Sequence, residues 1–290
     1  MNDENELLAM VISLVPERSG RIRISNGRMI HAAFIAWVEK QDPSLAKELH
    51  PNDRKVRPFT LSSLRGGRQE GKEGFFNVAP GEAYWIRVTS LSGELTSWLL
   101  ERADESTPPP FTLGSVIFQV RAIALNHKRA GLSSYRWMRD HYASCPLPDW
   151  FRWLFYSATA FRFRVKLPEG KSDIRNILLP LPALMFSSLY KRWNTFAPKD
   201  LHIGFAREDF INRIERAVMI SQYDLKTTDI DFNDEIGISG FTGMCEYRTA
   251  KGATPEILRW ALTLGCYSFY AGIGYRTTWG MGQVEFLLPE

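Results

Sequence analysis

The sequence contains few of the residues that define disulfide-rich, zinc-binding or membrane-spanning proteins. Its 290 residues include three cysteines, Cys145, Cys245 and Cys266, and no Cys-x-x-Cys pair. His141 lies shortly before Cys145, but no further ligands nearby complete a zinc site. No apolar run reaches the roughly 18 residues of a membrane span, and the N-terminus is acidic. We therefore expect a cytoplasmic protein without disulfides, bound metal, membrane contact or targeting peptide.

Common catalytic signatures are also missing. The full Gly-x-x-x-x-Gly-Lys-Ser/Thr pattern of a P-loop does not occur, and neither does the Gly-x-Ser-x-Gly turn of serine hydrolases. No histidine and carboxylate cluster has metal-ligand spacing. The usual nucleotide, metal and serine-hydrolase functions are therefore excluded, and we expect no cofactor.

Aromatic residues and arginine, in contrast, are plentiful. The chain has 18 Phe, 10 Tyr and 9 Trp, which suits either a dense core or the stacking of bases. The net charge of +4 is a mild indication of an anionic partner. Arginine supplies much of the positive charge, and its planar guanidinium favours contacts with phosphates and bases.

The order of predicted elements indicates an α+β protein. In the first half we predict strands over 7–15, 57–63, 74–78, 82–88 and 111–124, with helices capped by Ser25 or Asn26, opened by Asp42-Pro43 and over 90–102. In the second half we predict strands over 154–165, 214–221, 235–247 and 283–288, with a short helix over 133–142 and further helices over 183–193 and after Thr254-Pro255. Both halves follow a β-α-β-β-α-β order, so we predict two tandem ferredoxin-like (RRM-like) domains, residues 1–130 and 131–290, with a C-terminal glycine-rich loop.

That loop, residues 270–284, is the most distinctive segment. It holds two Gly-x-Gly pairs, Gly272, Gly274, Gly280 and Gly282, around a centre with Tyr275, Arg276 and Trp279. Glycines can adopt positive φ and leave backbone N–H groups uncovered for a phosphate chain. A glycine-rich β-hairpin explains the same spacing. A dinucleotide fingerprint does not, because the segment follows a helix and has Thr277 at its sixth position.

Histidines with a nearby arginine are the remaining candidates for chemistry. His31 lies at the edge of the apolar face of the first helix, and His50 ends the second helix, shortly before Arg57. Two imidazoles can act as base and acid near neutral pH, and a guanidinium can hold the charge that grows on a phosphate. Each histidine taken alone also fits a structural role. We interpret the other three as surface or linker residues: His127, His141 and His202.

Three segments together give the sequence a family resemblance. Residues 272–282 match a C-terminal Gly-hydrophobic-Gly signature, residues 42–50 with 57–60 match a helix-His-loop-strand segment, and residues 180–186 with 192–194 match the start of a second domain. In these features the chain resembles the CRISPR-associated endoribonucleases that process precursor CRISPR RNA, members of the repeat-associated mysterious protein (RAMP) superfamily. The resemblance covers nearly the whole chain.

The resemblance implies metal-independent cleavage of repeat RNA, in which a ribose 2′-OH attacks the adjacent phosphate and leaves 2′,3′-cyclic phosphate and 5′-OH ends. His50 matches the general acid/base histidine of the family, and Arg57 falls where some members carry a basic catalytic residue. Many members place a tyrosine near Ile35, whose side chain cannot transfer a proton. We therefore take His31, four residues earlier on nearly the same helix face, as its substitute.

The resemblance also implies an RNA-binding groove between the domains. Its predicted RNA-binding residues are Arg28, Lys128, Arg129, Lys191, Arg192, Gly272, Gly274, Arg276, Gly280 and Gly282. The expected partner is CRISPR repeat RNA, with other CRISPR effector subunits possible and a monomer or homodimer as the state. One alternative is a non-cleaving RNA-binding subunit of an effector complex. Another is an unrelated enzyme with a glycine-rich phosphate loop.

Overall fold

The chain folds into two compact units. The structure is a computed structural model, and it describes residues 5–50, 56–67, 71–72, 74–105, 108–166, 171–231 and 237–289. The first unit comprises Met1–Ser134 together with Thr278–Gly280, and the second comprises Tyr135–Thr277 together with Met281–Glu290. The first unit therefore includes a short segment from the predicted glycine-rich loop.

The first unit is built on an antiparallel sheet with helices. Its elements are β1 Leu7–Pro16, β2 Gly20–Arg23, α1 Gly27–Glu39, α2 Pro43–Leu49, β3 Phe59–Leu61, β4 Arg65–Gly66, β5 Gly71–Lys72, β6 Phe75–Val78, β7 Tyr84–Ser90, α3 Gly93–Ala103, β8 Phe111–Leu113, β9 Val116–Ala124 and β10 Gly131–Ser133. The main sheet has the order β3-β7-β1-β9-β8. Its first four strands have the order 2-3-1-4 of a ferredoxin-like fold, counted along the chain.

The two helices that follow β1 and β2 in the chain are positioned by local sequence. α1 buries Ile30, Phe34 and Trp37 at helical spacing. Asn26 precedes α1, but its amide binds away from the helix: it donates to the Arg23 carbonyl at 3.0 Å and accepts from the Leu64 N–H at 2.8 Å. α2 has a side-chain cap, because Oδ1 of Asp42 accepts from the Leu45 N–H at 2.9 Å. The capped α2 ends at His50.

The second unit repeats the same strand order. Its elements are α4 Tyr135–Ala143, β11 Trp150–Thr159, β12 Phe161–Lys166, β13 Ser172–Ile177, α5 Pro182–Phe196, α6 Arg207–Ala217, β14 Val218–Asp231, β15 Gly237–Thr249, α7 Pro255–Ala271 and β16 Val284–Leu287. The four-stranded sheet has the order β14-β15-β11-β16, and β12 pairs with β13 in a separate ribbon. This is again the 2-3-1-4 order, so the predicted ferredoxin-like architecture is confirmed. Of the helices in the described ranges, none is long and apolar enough to cross a membrane.

Several predicted elements differ in detail from the structure. The predicted strand over 111–124 is a hairpin that turns at Gly114, whose φ is 61°. The predicted strand over 154–165 is two strands in different sheets, separated at Ala160, whose carbonyl accepts from the Tyr275 N–H at 2.9 Å. The first two residues of the strand predicted over 235–247 lie outside the described residues, and the rest of it falls in β15. Residues 277–279 form a 3₁₀ helix, so the hairpin interpretation of the loop is wrong.

One helix was missed by the sequence analysis. α6 occupies residues that we left unassigned, and it includes the first four positions of the strand predicted over 214–221. Its buried residues, Phe210, Ile214 and Ala217, recur at intervals of four and three, which is helical spacing. Val218 and Ile220, which follow α6, have high strand propensity, and the strand prediction was extended from them too far toward the N-terminus.

Candidate active site

Two histidines meet in the first unit. His31 lies on α1 with 7% of its surface exposed, while His50 is exposed at the C-terminal end of α2. The centroids of their rings are 5.7 Å apart, with the ring planes at 49°. The structure therefore brings together the two histidines that the sequence analysis proposed as base and acid, and His31 is more deeply buried than its position at the edge of the apolar face had indicated.

The environment of His31 keeps its imidazole neutral. Burial, together with the charges of Arg57 and His50, lowers the pKa of His31 from 6.5 to about 4. A hydrogen bond with the Thr278 backbone acts in the opposite direction. Nδ1 of His31 is buried and has no hydrogen-bond partner within the described ranges. Near neutral pH His31 is thus an uncharged ring with an unused nitrogen.

Aromatic rings enclose this histidine. Phe59 of β3 stacks on His31 with ring centroids 5.7 Å apart and planes at 15°, and the Trp279 ring lies 6.4 Å from His31. The N-terminal end of α1 also packs closely against Trp279. A Cβ on Gly27 would lie only 1.7 Å from the Trp279 carbonyl oxygen. Sequence analysis named Trp279 only as part of the loop. Nothing in the local sequence signals its approach to His31, since the contact joins distant parts of the chain.

Arg57 lies beside the histidine pair. Its Nη1 donates to the Leu49 carbonyl at 2.6 Å, so the guanidinium also binds the C-terminal end of α2. This contact fixes the side chain close enough to affect the pKa of His31. The three predicted catalytic residues therefore lie together in the first unit.

The glycine-rich segment of the second unit is held by its own hydrogen bonds. The N–H groups of Gly272 and Gly282 donate to the carbonyls of Ser268 and Ala158 at 2.9 and 3.1 Å. The N–H of Gly274 donates to Oγ of Ser188 at 3.0 Å. These amides determine the shape of the loop, whereas the sequence analysis expected them to face a ligand.

Arg192 of α5 is also engaged with the loop. Its Nη2 donates to the Gly274 carbonyl at 2.9 Å and to Oγ1 of Thr277 at 3.2 Å. Its Nη1 donates to the carbonyl and the hydroxyl of Ser188 at 3.3 and 2.5 Å. Burial lowers the pKa of Arg192. The guanidinium thus connects α5 to the loop.

Arg276 is the one non-glycine residue with positive φ in the described part of the chain, at 54°. Positive φ is uncommon for residues with a Cβ and often marks a functional position. The Arg276 guanidinium lies 5.1 Å from the centre of the Tyr275 ring, and the Arg162 guanidinium lies 4.2 Å from it. Two cations therefore share one aromatic ring at the loop.

The other predicted RNA-binding residues occupy separate places. In the first unit, Arg28 is exposed with its guanidinium 5.8 Å from the Trp279 ring centre. Lys128 is exposed, while Arg129 is half-buried with its guanidinium 5.7 Å from the Trp85 ring centre. In the second unit Lys191 is exposed on α5.

The remaining histidines have individual partners. Nδ1 of His127 accepts from the Arg129 N–H at 3.1 Å, His141 stacks on Trp137 at 4.6 Å, and Nε2 of His202 lies 3.1 Å from the Ala197 carbonyl. No group of three or more His, Cys, Asp or Glu side chains among the residues with described positions could hold a metal ion.

The fold and the site together define a class of protein. Two ferredoxin-like units in tandem, with a histidine pair in the first and a glycine-rich loop after the last helix of the second, form an α+β protein of ferredoxin-like architecture. The family model described as the CRISPR Cas6 N-terminal domain matches residues 8–134, and that described as CRISPR-associated endoribonuclease Cas6 matches residues 154–284. The chain belongs to the Cas6 family of CRISPR-associated endoribonucleases.

Solved structures share this fold along their whole length. A product complex of Cas6 (TTHB231), a Thermus thermophilus protein, has a TM-score of 0.74 at 23% identity, covering 97% of this chain and 99% of that one. A product complex of Cas6 (TTHA0078) has a TM-score of 0.67 at 25% identity with the same coverage. A Cas6-related protein from Pyrococcus furiosus has a TM-score of 0.60 at 17% identity, covering 98% of this chain and 100% of that one. A comparison with curated protein sequences gives no match.

Proposed function

We propose that this chain is a metal-independent endoribonuclease that cuts CRISPR repeat RNA within the precursor transcript. The observation that carries the proposal is the pair of imidazoles 5.7 Å apart in the first unit, with Arg57 beside them. Two imidazoles and a guanidinium supply a proton acceptor, a proton donor and a positive charge, which are the groups that phosphate transesterification needs. The products are a 2′,3′-cyclic phosphate and a 5′-OH.

The environments of the two histidines suggest separate roles. His31 is neutral at pH 7, so it can take the proton of the ribose 2′-OH as that oxygen bonds to phosphorus. The P–O5′ bond breaks, and His50, which is exposed at the end of α2, gives a proton to the departing 5′ oxygen. Arg57 holds the negative charge that develops on the phosphate.

RNA binding is assigned to three exposed cations and to the half-buried Arg276, supported by the neighbouring structures. One of these is a Cas6 complex with a substrate mimic, and another is described as a RAMP protein that binds different RNA substrates. In this chain Arg28, Lys128, Lys191 and Arg276 are the proposed phosphate and base contacts. Because of their hydrogen bonds, Arg192 and the glycines are proposed to shape the loop, which then presents Arg276 to RNA.

The test is cleavage of the host's own repeat RNA by the full chain in EDTA. We expect one cut, with a cyclic phosphate on one fragment and a 5′-OH on the other. A 2′-deoxy substitution at the nucleotide upstream of the cut should abolish cleavage while RNA still binds. Cleavage of the deoxy substrate, or loss of activity in EDTA, would contradict the mechanism. A protein that binds the repeat and never cuts it would be an RNA-binding subunit instead.

A further inference from the structure

The second unit contains a cavity that the proposed cleavage does not use. It has a volume of about 370 Å³ and lies between β12, α5 and α6. One wall is apolar, with Phe163, Leu184 and Ile211, and the other side is polar, with Ser187, Arg207, Glu208 and Asn212. The volume falls in the range of small-molecule pockets, near its lower end.

The two sides of the cavity offer complementary chemistry. The Phe163 ring is 37% exposed, so it presents a flat apolar surface. On the polar side, Nε of Arg207 donates to Oγ of Ser187 at 3.2 Å, and Nη2 of Arg207 donates to the same oxygen. These bonds hold the guanidinium at the edge of the cavity. Asn212 adds an amide that can both donate and accept.

A flat ring beside amide and guanidinium groups suits a nucleobase. Proteins that read single-stranded RNA stack unpaired bases on aromatic rings and bind their edges through hydrogen bonds. Asparagine amides and arginine guanidinium groups are the usual partners of purine edges. An apolar ligand would leave the polar side of this cavity unused.

Arg207 and Glu208 balance in charge within the cavity, but the ribbon beside it is positive and indicates a nucleotide within a chain. The β12–β13 ribbon that presents Phe163 also carries Arg162, Arg164 and Arg175, and Asp173 is the one acidic residue in its two strands. Arg175 lies directly opposite Phe163 in the ribbon. Although Arg175 is paired with Asp173, at 3.3 Å, the ribbon remains positive and so suits the phosphates on either side of a bound base.

We propose that this cavity binds one unpaired nucleobase of the repeat RNA, stacked on Phe163 and hydrogen-bonded to Asn212 and Arg207. The proposal rests on the proposed function, since it takes the same RNA as ligand. It adds a contact that is specific for one unpaired position of the repeat, in a region separate from the histidine pair. Sequence selectivity would then depend partly on this cavity.

The probe is the repeat RNA made uncleavable by a 2′-deoxy substitution, in versions that each lack one unpaired base. Stacking on an aromatic ring contributes about 1–3 kcal/mol per base, so Phe163→Ala should raise Kd for the intact RNA about 5- to 150-fold. Removal of the correct base should weaken the wild type by a similar factor and weaken Phe163→Ala no further. Ala183→Leu, which fills the cavity instead of emptying it, should behave in the same way. Melting curves check that each variant is folded.

Tyr223→Ala is the matched control, because that ring is 67% exposed on β14 and does not line the cavity. Any loss of RNA affinity caused by Tyr223→Ala should add to the loss caused by each abasic position, because that ring does not bind the base in the cavity. The proposal is overturned if Phe163→Ala binds all the RNAs as the wild type does, or if its loss adds to the loss at every abasic position. Wild-type cleavage of the unmodified repeat would leave the proposed function intact in that case. A wild type that does not bind the repeat would overturn both.

Discussion

The two units have the same strand order, and in each a pair of helices lies between the first and second sheet strands along the chain, β1 and β3 in one unit and β11 and β14 in the other. In the first unit these helices, α1 and α2, bring His31 and His50 to within 5.7 Å between ring centroids. In the second unit the corresponding helices are α5 and α6, and α5 carries Arg192, whose hydrogen bonds go to Gly274 and Thr277. One pair of helices thus assembles ionisable side chains, and the other supports a loop.

This difference shows how one fold supports two tasks. A ferredoxin-like sheet determines where helices lie, while the side chains placed on them determine the chemistry. The histidines of the second unit illustrate the point, because His141 stacks on Trp137 and His202 contacts a backbone carbonyl. Neither has a second imidazole beside it. We therefore expect catalysis to depend on the first unit and loop geometry on the second.

The largest effect should come from removing either imidazole of the first unit. His31→Ala and His50→Ala should each slow single-turnover cleavage about 100- to 10,000-fold, the usual contribution of a general acid or base. Repeat-RNA affinity should change only a few-fold. His141→Ala removes a histidine of the second unit and should leave both values unchanged. Near-normal single-turnover rates in either variant would remove that residue from the mechanism.

A modified substrate can separate the two roles. When sulfur replaces the bridging 5′ oxygen at the cut site, the leaving group departs without protonation. His50→Ala should regain most of its lost rate on this RNA, whereas His31→Ala should not. Rescue of His31→Ala alone would reverse the assignment of acid and base.

The next largest effect should be on the stability of the loop. Gly282 has a φ of 70°, and a Cβ there would lie 2.0 Å from the Ile273 carbonyl oxygen. Gly282→Ala should therefore lower the free energy of unfolding by about 3 kcal/mol, because both backbone strain and overlap must be relieved. Gly81 of the first unit has a φ of 88° with nothing within 4 Å of its Cβ position. Gly81→Ala should cost only about 1 kcal/mol of backbone strain. If the two variants lost equal free energies of unfolding in urea, the steric overlap at Gly282 would not contribute.

A smaller effect should distinguish two neighbouring cations of α5. Arg192→Ala removes hydrogen bonds from a charged donor to Gly274 and Thr277, at a cost of about 2 kcal/mol and several degrees in melting temperature. Lys191→Ala, at an exposed position, should change stability by less than about 0.5 kcal/mol. Lys191→Ala should instead weaken the salt dependence of RNA binding: the slope of log Kd against log salt concentration should fall by about one. If the Arg192 variant melted like the wild type, the support role would be wrong.

The smallest effect should be on the titration of His31. Arg57→Ala should raise the pKa of His31 from about 4 more than His50→Ala does, and both variants should leave it below 6.5 because burial persists. NMR titration of the imidazole measures each value. The lowered pKa also affects the free energy of unfolding. The neutral buried ring contributes its full stabilisation above pH 6.5, and this stabilisation is lost as the pH falls toward about 4. A larger rise in His50→Ala would reverse the order of the two charges.

Local patterns in the sequence predicted much of the fold. The spacing of Ile30, Phe34 and Trp37 and the Asp42-Pro43 cap predicted two helices that the structure contains. Strand order along the chain then predicted both ferredoxin-like units. The break at Ala160 was missed because Phe161-Arg-Phe-Arg-Val continues the alternation of β11, and the hydrogen bond that redirects the chain comes from Tyr275. Such a contact has no local signal.

The candidate site was less predictable. Residue type and helix position drew attention to His31 and His50, but only the packing of α1 beside α2 shows their distance. The low pKa of His31 depends on burial, and the neighbourhood of Phe59 and Trp279 depends on contacts between distant residues. The internal hydrogen bonds of the loop glycines also depend on residues far away in the sequence, such as Ser188.

The presence of Trp279 in the first unit has a consequence for the order of synthesis. A ribosome makes His31 and His50 early, whereas Trp279 emerges only after the second unit has been largely completed. Domains fold as they emerge, so the histidine pair can form before the indole that lies beside His31 has been made. A prematurely terminated polypeptide would contain both histidines with one side of that pair uncovered. The surroundings of His31 are therefore completed only after most of the second unit has been synthesised.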